Sequence, residues 1–525
     1  MQRRTLLTQL GRSAAALALG SLFGSSPGQG PLPDPSERSF ADYPFTLGVA
    51  SGMPRPDSIV LWTRLAPRPY EPGGGLRPTP LAVRWELADD EHFSRPVRAG
   101  EQLARPEHAH SVHVQVDRLE SGRVYFYRFI CGDAVSPIGR TRTAPAEDAP
   151  VQRLRLALAS CQHYEQGHYA AHRELAARDL DFVLFVGDYI YETSNPTYMV
   201  RRHEGRTPTR LDAFRRRHAT YKLDPHLRAA HAAHPWILTW DDHEVENDYA
   251  ADHSRFGGDP HSFLMRRAVA YKAYFEHLPI APGRAPNGPA MRIHDRYAWG
   301  RLAELWTLDA RQFRSPQACG EDGPNGGGRL LSRCASVADP GRSVFGAEQE
   351  RWLDSGLQHS LRSWKLIGQA SQISSWGVDT PFGRSIYSDA WDGYPAARER
   401  LLRGIARGGV QDVIALGGDV HRHVAAQLRA APNDPGSPIV ASEFVTSSLT
   451  SRGLPGVATA LIRSANPDLL HARGDERGYA VLELTPRQAR CEFRATAFPV
   501  AEAARLYTQA AFVVERGHAG VQADL

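Results

Sequence analysis

Two kinds of hydrophobic pattern divide the chain. From about Tyr43 to Thr143, apolar and polar residues alternate in short runs: Ser58–Thr63, Leu81–Glu86, Ser111–Val116 and Tyr125–Phe129, separated by Pro and Gly turns. Period two, strand after strand with no helical repeat, predicts an antiparallel β-sandwich of immunoglobulin or fibronectin type over residues 43–143. No cluster of acids, histidines or cysteines accompanies it, so a structural or substrate-positioning role is expected. The prolines and alanines of residues 141–150 read as a short linker.

Beyond Val151 the pattern changes to strands alternating with amphipathic helices, which predicts an α/β catalytic domain over residues 151–500. Strands are expected at Leu154–Ala159, Asp181–Val186, Pro235–Trp240, Arg301–Asp309, Trp364–Ser371, Asp412–Leu416, Val440–Ser447 and Gly478–Leu484. Helices are expected at Glu165–Asp179, Arg210–Ala230, His261–His277, Gly346–Leu361 and Pro395–Arg407. Residues 501–525 are left as a C-terminal piece, with Ala501–Phe512 predicted to be an amphipathic helix. No internal repeat is present.

Composition adds bounds. A chain of 525 residues is too long for one core, and 42% hydrophobic with 23% charged residues is ordinary globular protein. A net charge of +4 gives no reason to expect a nucleic-acid partner. No apolar run reaches the ~18 residues needed to span a bilayer. At the N-terminus, Arg3-Arg4 precede a small and apolar stretch from Ala14 to Phe23, then Ser-, Pro- and Gly-rich residues. This resembles a twin-arginine export signal with imperfect flanks at Gln2 and Thr8, so residues 1–42 are read as signal and linker. The expected partner is the twin-arginine export machinery, and the expected location periplasmic or secreted.

Of five cysteines, Cys319 and Cys334 bracket a Gly-rich loop and predict a local disulfide, which stabilises by roughly 3 kcal/mol through chain entropy. Cys131 and Cys491 either pair or stay buried. Cys161 stands at a strand end, and it is not alone. The strand Leu154–Ala159 leads to Cys161, Asp181–Val186 to Asp188 and Tyr191, Pro235–Trp240 to Asp242-His243, and Asp412–Leu416 to Asp419-Val420-His421. Ligands of open α/β sheets sit at the C-terminal ends of the strands. Thiolate, carboxylate, phenolate and imidazole arriving at one edge predict a metal site, in which one shared carboxylate bridges two ions. Such a pair suits in-line attack on phosphorus. Cys with Tyr suits Fe(III), and oxygen-only ligands suit a hard ion such as Ca²⁺ or Mn²⁺.

With these residues the chain resembles the PhoD-type alkaline phosphatases of the calcineurin-like and purple-acid-phosphatase-like metallophosphoesterase superfamily. The matching stretches are Ala159–Gln162, Gly187–Glu192, Trp240–Ala250, Leu308–Arg314, Tyr387–Pro395 and Gly417–His423, with an N-terminal match beginning at Ser51. The resemblance implies a metallophosphoesterase α/β sandwich, one Fe(III) and one or two Ca(II). By position it implies Cys161, Asp188 and Tyr191 as iron ligands with Asp188 bridging, Asp242 and Asp419 on the harder ion, and His421 on the iron side. His243 is then expected to protonate the leaving oxygen or to hold phosphate, and Arg311 and Arg422 are expected to grip phosphate. It also suggests a lid role for the C-terminal helix. The expected activity is hydrolysis of phosphate esters by a metal-bound hydroxide, as a phosphomonoesterase or as a phosphodiesterase of phospholipase D-like kind. From other classes, an exported binding protein with an inactive domain and an iron redox enzyme stay as alternatives. The loops at Tyr198–Thr209 and Gly320–Arg333 are expected to choose the substrate.

Overall fold

The computed structural model describes residues 39–320 and 327–524. The export segment read at the N-terminus lies outside them. Two large sheets stack face to face. The first has ten strands in the order Gln522–Ala523, Tyr507–Glu515, Gln488–Ala497, Glu476–Leu484, Leu154–Ala159, Phe182–Val186, Pro235–Thr239, Val49–Gly52, Ile59–Arg64 and Ser111–Val116. The second has seven: Asp295–Trp299, Ala303–Thr307, Trp364–Gly368, Val413–Gly417, Ile439–Val445, His423–Arg429 and Leu469–Arg473. The central strands of each run parallel and are buried on both faces, hence their near-continuous apolar sequence.

Between the sheets, Leu156, Leu158, Leu184 and Val186 meet Leu305, Leu366, Ile414, Leu416 and Phe444. On the outer face of the first sheet, Phe214, Leu227, Tyr271 and Tyr274 from three helices pack on Val183, Phe185 and Trp236. The helices Gly346–His359 and Pro395–Arg407 cover the second through Leu353, Leu357, Leu402 and Ile405. The layers are therefore helix, sheet, sheet, helix, an α/β sandwich as expected.

The alternating N-terminal region forms strands as expected, in two facing layers around one apolar core. Leu81–Ala88, Pro96–Ala104, Val124–Cys131, Ala134–Val135 and Gly139–Arg142 make a separate antiparallel sheet. The opposing face comes from Val49–Gly52, Ile59–Arg64 and Ser111–Val116, which belong to the ten-stranded sheet. Val49–Gly52 pairs in parallel with Pro235–Thr239, so one sheet runs from this region into the other without a break.

Three helical expectations change. Arg210–Ala230 is two helices, Leu211–Lys222 and Pro225–Ala233. Pro225 has no N–H to continue the first, and the Asp224 carboxylate caps the second by accepting from the N–H groups of His226 and Leu227. Glu165–Asp179 shortens to Ala170–Ala177 behind a 3₁₀ turn. The expected C-terminal helix is a strand, Tyr507–Glu515, paired antiparallel with Gln488–Ala497. Phe512 and Val514, two apart, point into the inter-sheet core, so period two prevails over the helical pattern. Lying in the sheet plane near its far edge, this strand is no lid over the strand ends.

The disulfide Cys319–Cys334 is present, and Cys131 and Cys491 are separate buried thiols. No helix among the described residues is long and apolar enough to cross a membrane.

His218 has both ring nitrogens buried without partners, and burial pushes its pKa down to about 3. Below pH 6.5 the unfolded chain takes up a proton that the folded chain refuses until about pH 3, so this residue costs stability as pH falls across that window. His218→Phe is expected to gain about 1 kcal/mol at pH 7, and the gain should grow at pH 5.5. Paired urea titrations of variant and native protein check it; a pH-independent difference would contradict the assignment.

Candidate metal centre

The site forms where the parallel strands end. Gly187 follows Phe182–Val186 at φ +109°, and a Cβ there would lie 2.6 Å from the backbone nitrogen of Asp241. Gly418 lets the second sheet reach the first: a Cβ on it would lie 2.4 Å from Ser160 Oγ. Cys161, Asp188, Asp419 and His421 all have left-handed backbones, with φ of +59°, +58°, +63° and +51°. Such conformations cost of order 1–3 kcal/mol each and persist where surrounding packing enforces them. Here they turn each side chain sharply off its strand toward a common point.

Donor atoms then fall into three overlapping groups, each within 4.8 Å: Cys161 with Asp188 and His421; Asp188 with Asp242 and His243; Asp242 with Asp248 and Asp389. Asp188 belongs to the first two and Asp242 to the last two, so the groups form a chain. Tyr191 joins the first, its phenol 2.7 Å from Asp188 Oδ2 and 3.1 Å from His421 Nε2. His421 Nδ1 lies 2.7 Å from the Arg452 carbonyl. Its proton belongs on that nitrogen, which leaves the Nε2 lone pair facing the cluster, as a metal ligand requires.

Charge balance points the same way. Asp188, Asp241, Asp242, Asp248 and Asp389 are buried and Asp419 is half-buried, and the guanidiniums ion-paired within this set are Arg311 and Arg314. Asp188 Oδ1 and Asp241 Oδ2 are buried with no hydrogen-bond partner. Burial, then like charges, push the carboxyls of Asp248 and Asp419 up to about 6. Burial followed by nearby acidic groups raises the Cys161 thiol and the Tyr191 phenol, and burial raises Asp188. Cations among these groups would reverse that preference and hold the ligands ionised. The donor set fits bound metal: soft and aromatic donors at one end, oxygen only at the other.

His243 sits in the middle group, 4.1 Å ring to ring from Tyr191. Its Nδ1 is 2.6 Å from Glu192 Oε2, and Glu192 Oε1 accepts from the Asn247 N–H at 2.9 Å. Burial opposes protonation of His243, but the carboxylates of Glu192, Asp242 and Asp188 outweigh it and raise its pKa.

Arg311 is at the site, though spent on protein carboxylates. It pairs with Asp241, reaches Asp389 Oδ2 at 2.9 Å and stands 3.8 Å from Asp242 Oδ2. Its guanidinium is thus ion-paired with three acids of the site. Arg422 is turned into the core, donating to Gln372 Oε1 at 2.9 Å with its guanidinium over the Trp376 ring. The left-handed turn at His421, φ +51°, separates the direction of the histidine from that of its neighbour. Asp419 belongs to none of the three groups; its Oδ2 accepts from Ser371 Oγ at 2.6 Å.

Asp248, Asp389 and the partnership of Glu192 with His243 are not apparent from the sequence pattern. All three acids lie inside stretches that carry the family resemblance, yet none directly ends a strand, and strand ends are the signal that periodicity provides. Asp248 follows Asp242 by six positions across the turns of the Trp240–Ala250 stretch.

Comparison with known proteins identifies the family. The PhoD-like phosphatase family profile matches residues 156–493, and the profile of that family's N-terminal domain matches residues 31–145. Alkaline phosphatase D of Bacillus subtilis (strain 168) is 42% identical over 492 residues, covering 92% of this chain and 83% of that one. A solved structure of PhoD superposes with a TM-score of 0.88 at 41% identity over 93% of each chain. The chain belongs to the PhoD-like phosphatase family.

Proposed function

We propose that this protein is an exported, metal-dependent hydrolase of phosphate esters, as its Bacillus subtilis relative is an alkaline phosphatase. The observation that carries the proposal is the chain of three donor groups sharing Asp188 and Asp242. We assign Fe(III) to Cys161, Asp188, Tyr191 and His421, and Ca(II) to the oxygen-only end at Asp242, Asp248 and Asp389. When bound, the ions supply a nucleophile at moderate pH and neutralise phosphoryl oxygens. Asp188 and Asp242, each shared by two donor groups, together tie the two ends to one another. Arg311 and Arg314 fix Asp389, and Arg311 also fixes Asp241. His243, oriented by Glu192, delivers a proton to the departing oxygen from Nε2, the nitrogen away from that carboxylate. Residues 43–143 are read as a fibronectin-like domain, and Arg3-Arg4 as the export determinant.

Hydrolysis of p-nitrophenyl phosphate and bis-p-nitrophenyl phosphate at alkaline pH, with and without chelator and added Ca²⁺, tests this. Chelator-sensitive release of p-nitrophenol is expected, and the ratio of rates gives monoester against diester preference. No release from either ester, by protein shown to contain iron and calcium, would overturn it.

A further inference from the structure

The acidic end of the centre is held from outside by groups on both sides of the Cys319–Cys334 disulfide and on a facing strand. Gln317, two residues before Cys319, donates from Nε2 to Asp389 Oδ1 at 2.6 Å and to the Asp248 carbonyl at 2.8 Å. On the returning arm, the Gly328 N–H donates to Asp248 Oδ2 at 3.1 Å. Leu330 then pairs with Tyr387 in a short antiparallel ladder, and the Tyr387 phenol donates to the same Asp248 Oδ2 at 3.0 Å. The Cys319–Cys334 disulfide joins the two arms at their outer ends.

We infer that the Cys319–Cys334 disulfide is a clamp that sets cation affinity at Asp242, Asp248 and Asp389, through Gln317, Gly328 and Tyr387 as positioning groups. This rests on reading those three carboxylates as a cation site. Both oxygens of a carboxylate rotate freely unless a donor fixes one of them. Two donors on Asp248 Oδ2 leave Oδ1 for the ion and fix its direction. Closing the segment by a covalent link removes the chain freedom that would otherwise be lost each time the arms dock. The side chains of Cys161, Tyr191 and His421 hydrogen-bond to Ser160, Asp188, the Arg452 carbonyl and one another, none of them on either arm. The donors at that end therefore stay in place when the clamp is open.

The test is calcium binding to the full-length, iron-loaded protein by equilibrium dialysis against calcium chloride, with iron content measured in parallel. Cys319→Ser/Cys334→Ser is expected to raise the calcium Kd about tenfold, the usual effect of losing outer-shell support, with iron content unchanged. Tyr387→Phe should raise it too, and the combined variant by less than the product of the separate effects, because both act on Asp248. If the double serine variant does not fold, Tyr387→Phe and Gln317→Ala carry the test. No calcium uptake by native protein overturns the cation reading and the inference with it. Calcium uptake at equal affinity in native and variant proteins overturns the inference alone. Loss of iron together with calcium also overturns it, since the whole centre would then depend on the clamp.

Discussion

Replacing Asp188 with Asn should lower kcat/KM on phosphate esters by roughly 10³-fold or more while making the metal-free protein more heat-stable. The first effect follows from the residue's place in two donor groups at once. An amide is a poor metal ligand, so cations held by either group would lose a compensating charge and a fixed position, and electrostatic stabilisation of the transition state would fall with them. A loss of roughly 10³-fold is about 4 kcal/mol of barrier. The second effect has the opposite sign because, without cations, the carboxylate is a liability. Asp188 is 2% exposed and its Oδ1 is buried with no partner. Asn keeps the shape, still accepts from the Tyr191 phenol and removes the buried charge. Steady-state kinetics and the melting temperature of chelator-treated protein read the two effects separately. A loss of activity accompanied by a lower melting temperature would mean that Asp188 serves the fold and not the metals.

Glu192→Gln is expected to cost about 10²–10⁴-fold in kcat, the range for a general acid that loses its orienting partner. The substituted amide can still touch His243 but no longer compensates a charge on it, and its NH₂ group competes for the proton-bearing nitrogen. The loss should depend on the leaving group. p-Nitrophenolate departs with little protonation, whereas an alkoxide needs a proton, so an alkyl phosphate should suffer far more than p-nitrophenyl phosphate. Equal losses on both esters would exclude proton delivery by His243 and leave Glu192 a packing role. The buried 2.6 Å contact and the N–H bond from Asn247 hold the pair in one geometry, so the effect is expected without rearrangement of the metal ligands.

Much of this centre is legible in the amino-acid sequence. Strands buried on both faces carry an unmistakable apolar run, and a ligand-type residue a few positions past its end is visible in one dimension. Cys161, Asp188, Tyr191, Asp242, His243 and His421 stand out in this way, and the structure brings their donor atoms together. Asp248 and Asp389 reach the site from turns and irregular chain, where no periodicity announces direction. Arg311 and Arg422 show the complementary limit. Their charge and position are readable, but which carboxylate or amide engages each arginine depends on a fold partner far away in sequence. The same holds for the sheets. His423–Arg429 and Gln488–Ala497 are not distinguished by their pattern, and nothing in the period of Val49–Gly52 points to its pairing with Pro235–Thr239. Strand order leaves no trace in the alternation of a single strand.

Strand order also governs when the protein can become itself. Leu154–Ala159, which carries Cys161, has Phe182–Val186 on one side and Glu476–Leu484 on the other, with Ala157 opposite Val481. On the ribosome its second neighbour arrives only after most of the chain has been made. Until then a buried-type strand stands with an open edge, the arrangement most prone to wrong pairing. Native contacts of such long sequence separation also make closure slow. A version ending before Glu476 would lose a flank of the strand that delivers the thiol, so the last part of the chain is as necessary to the centre as any ligand in it.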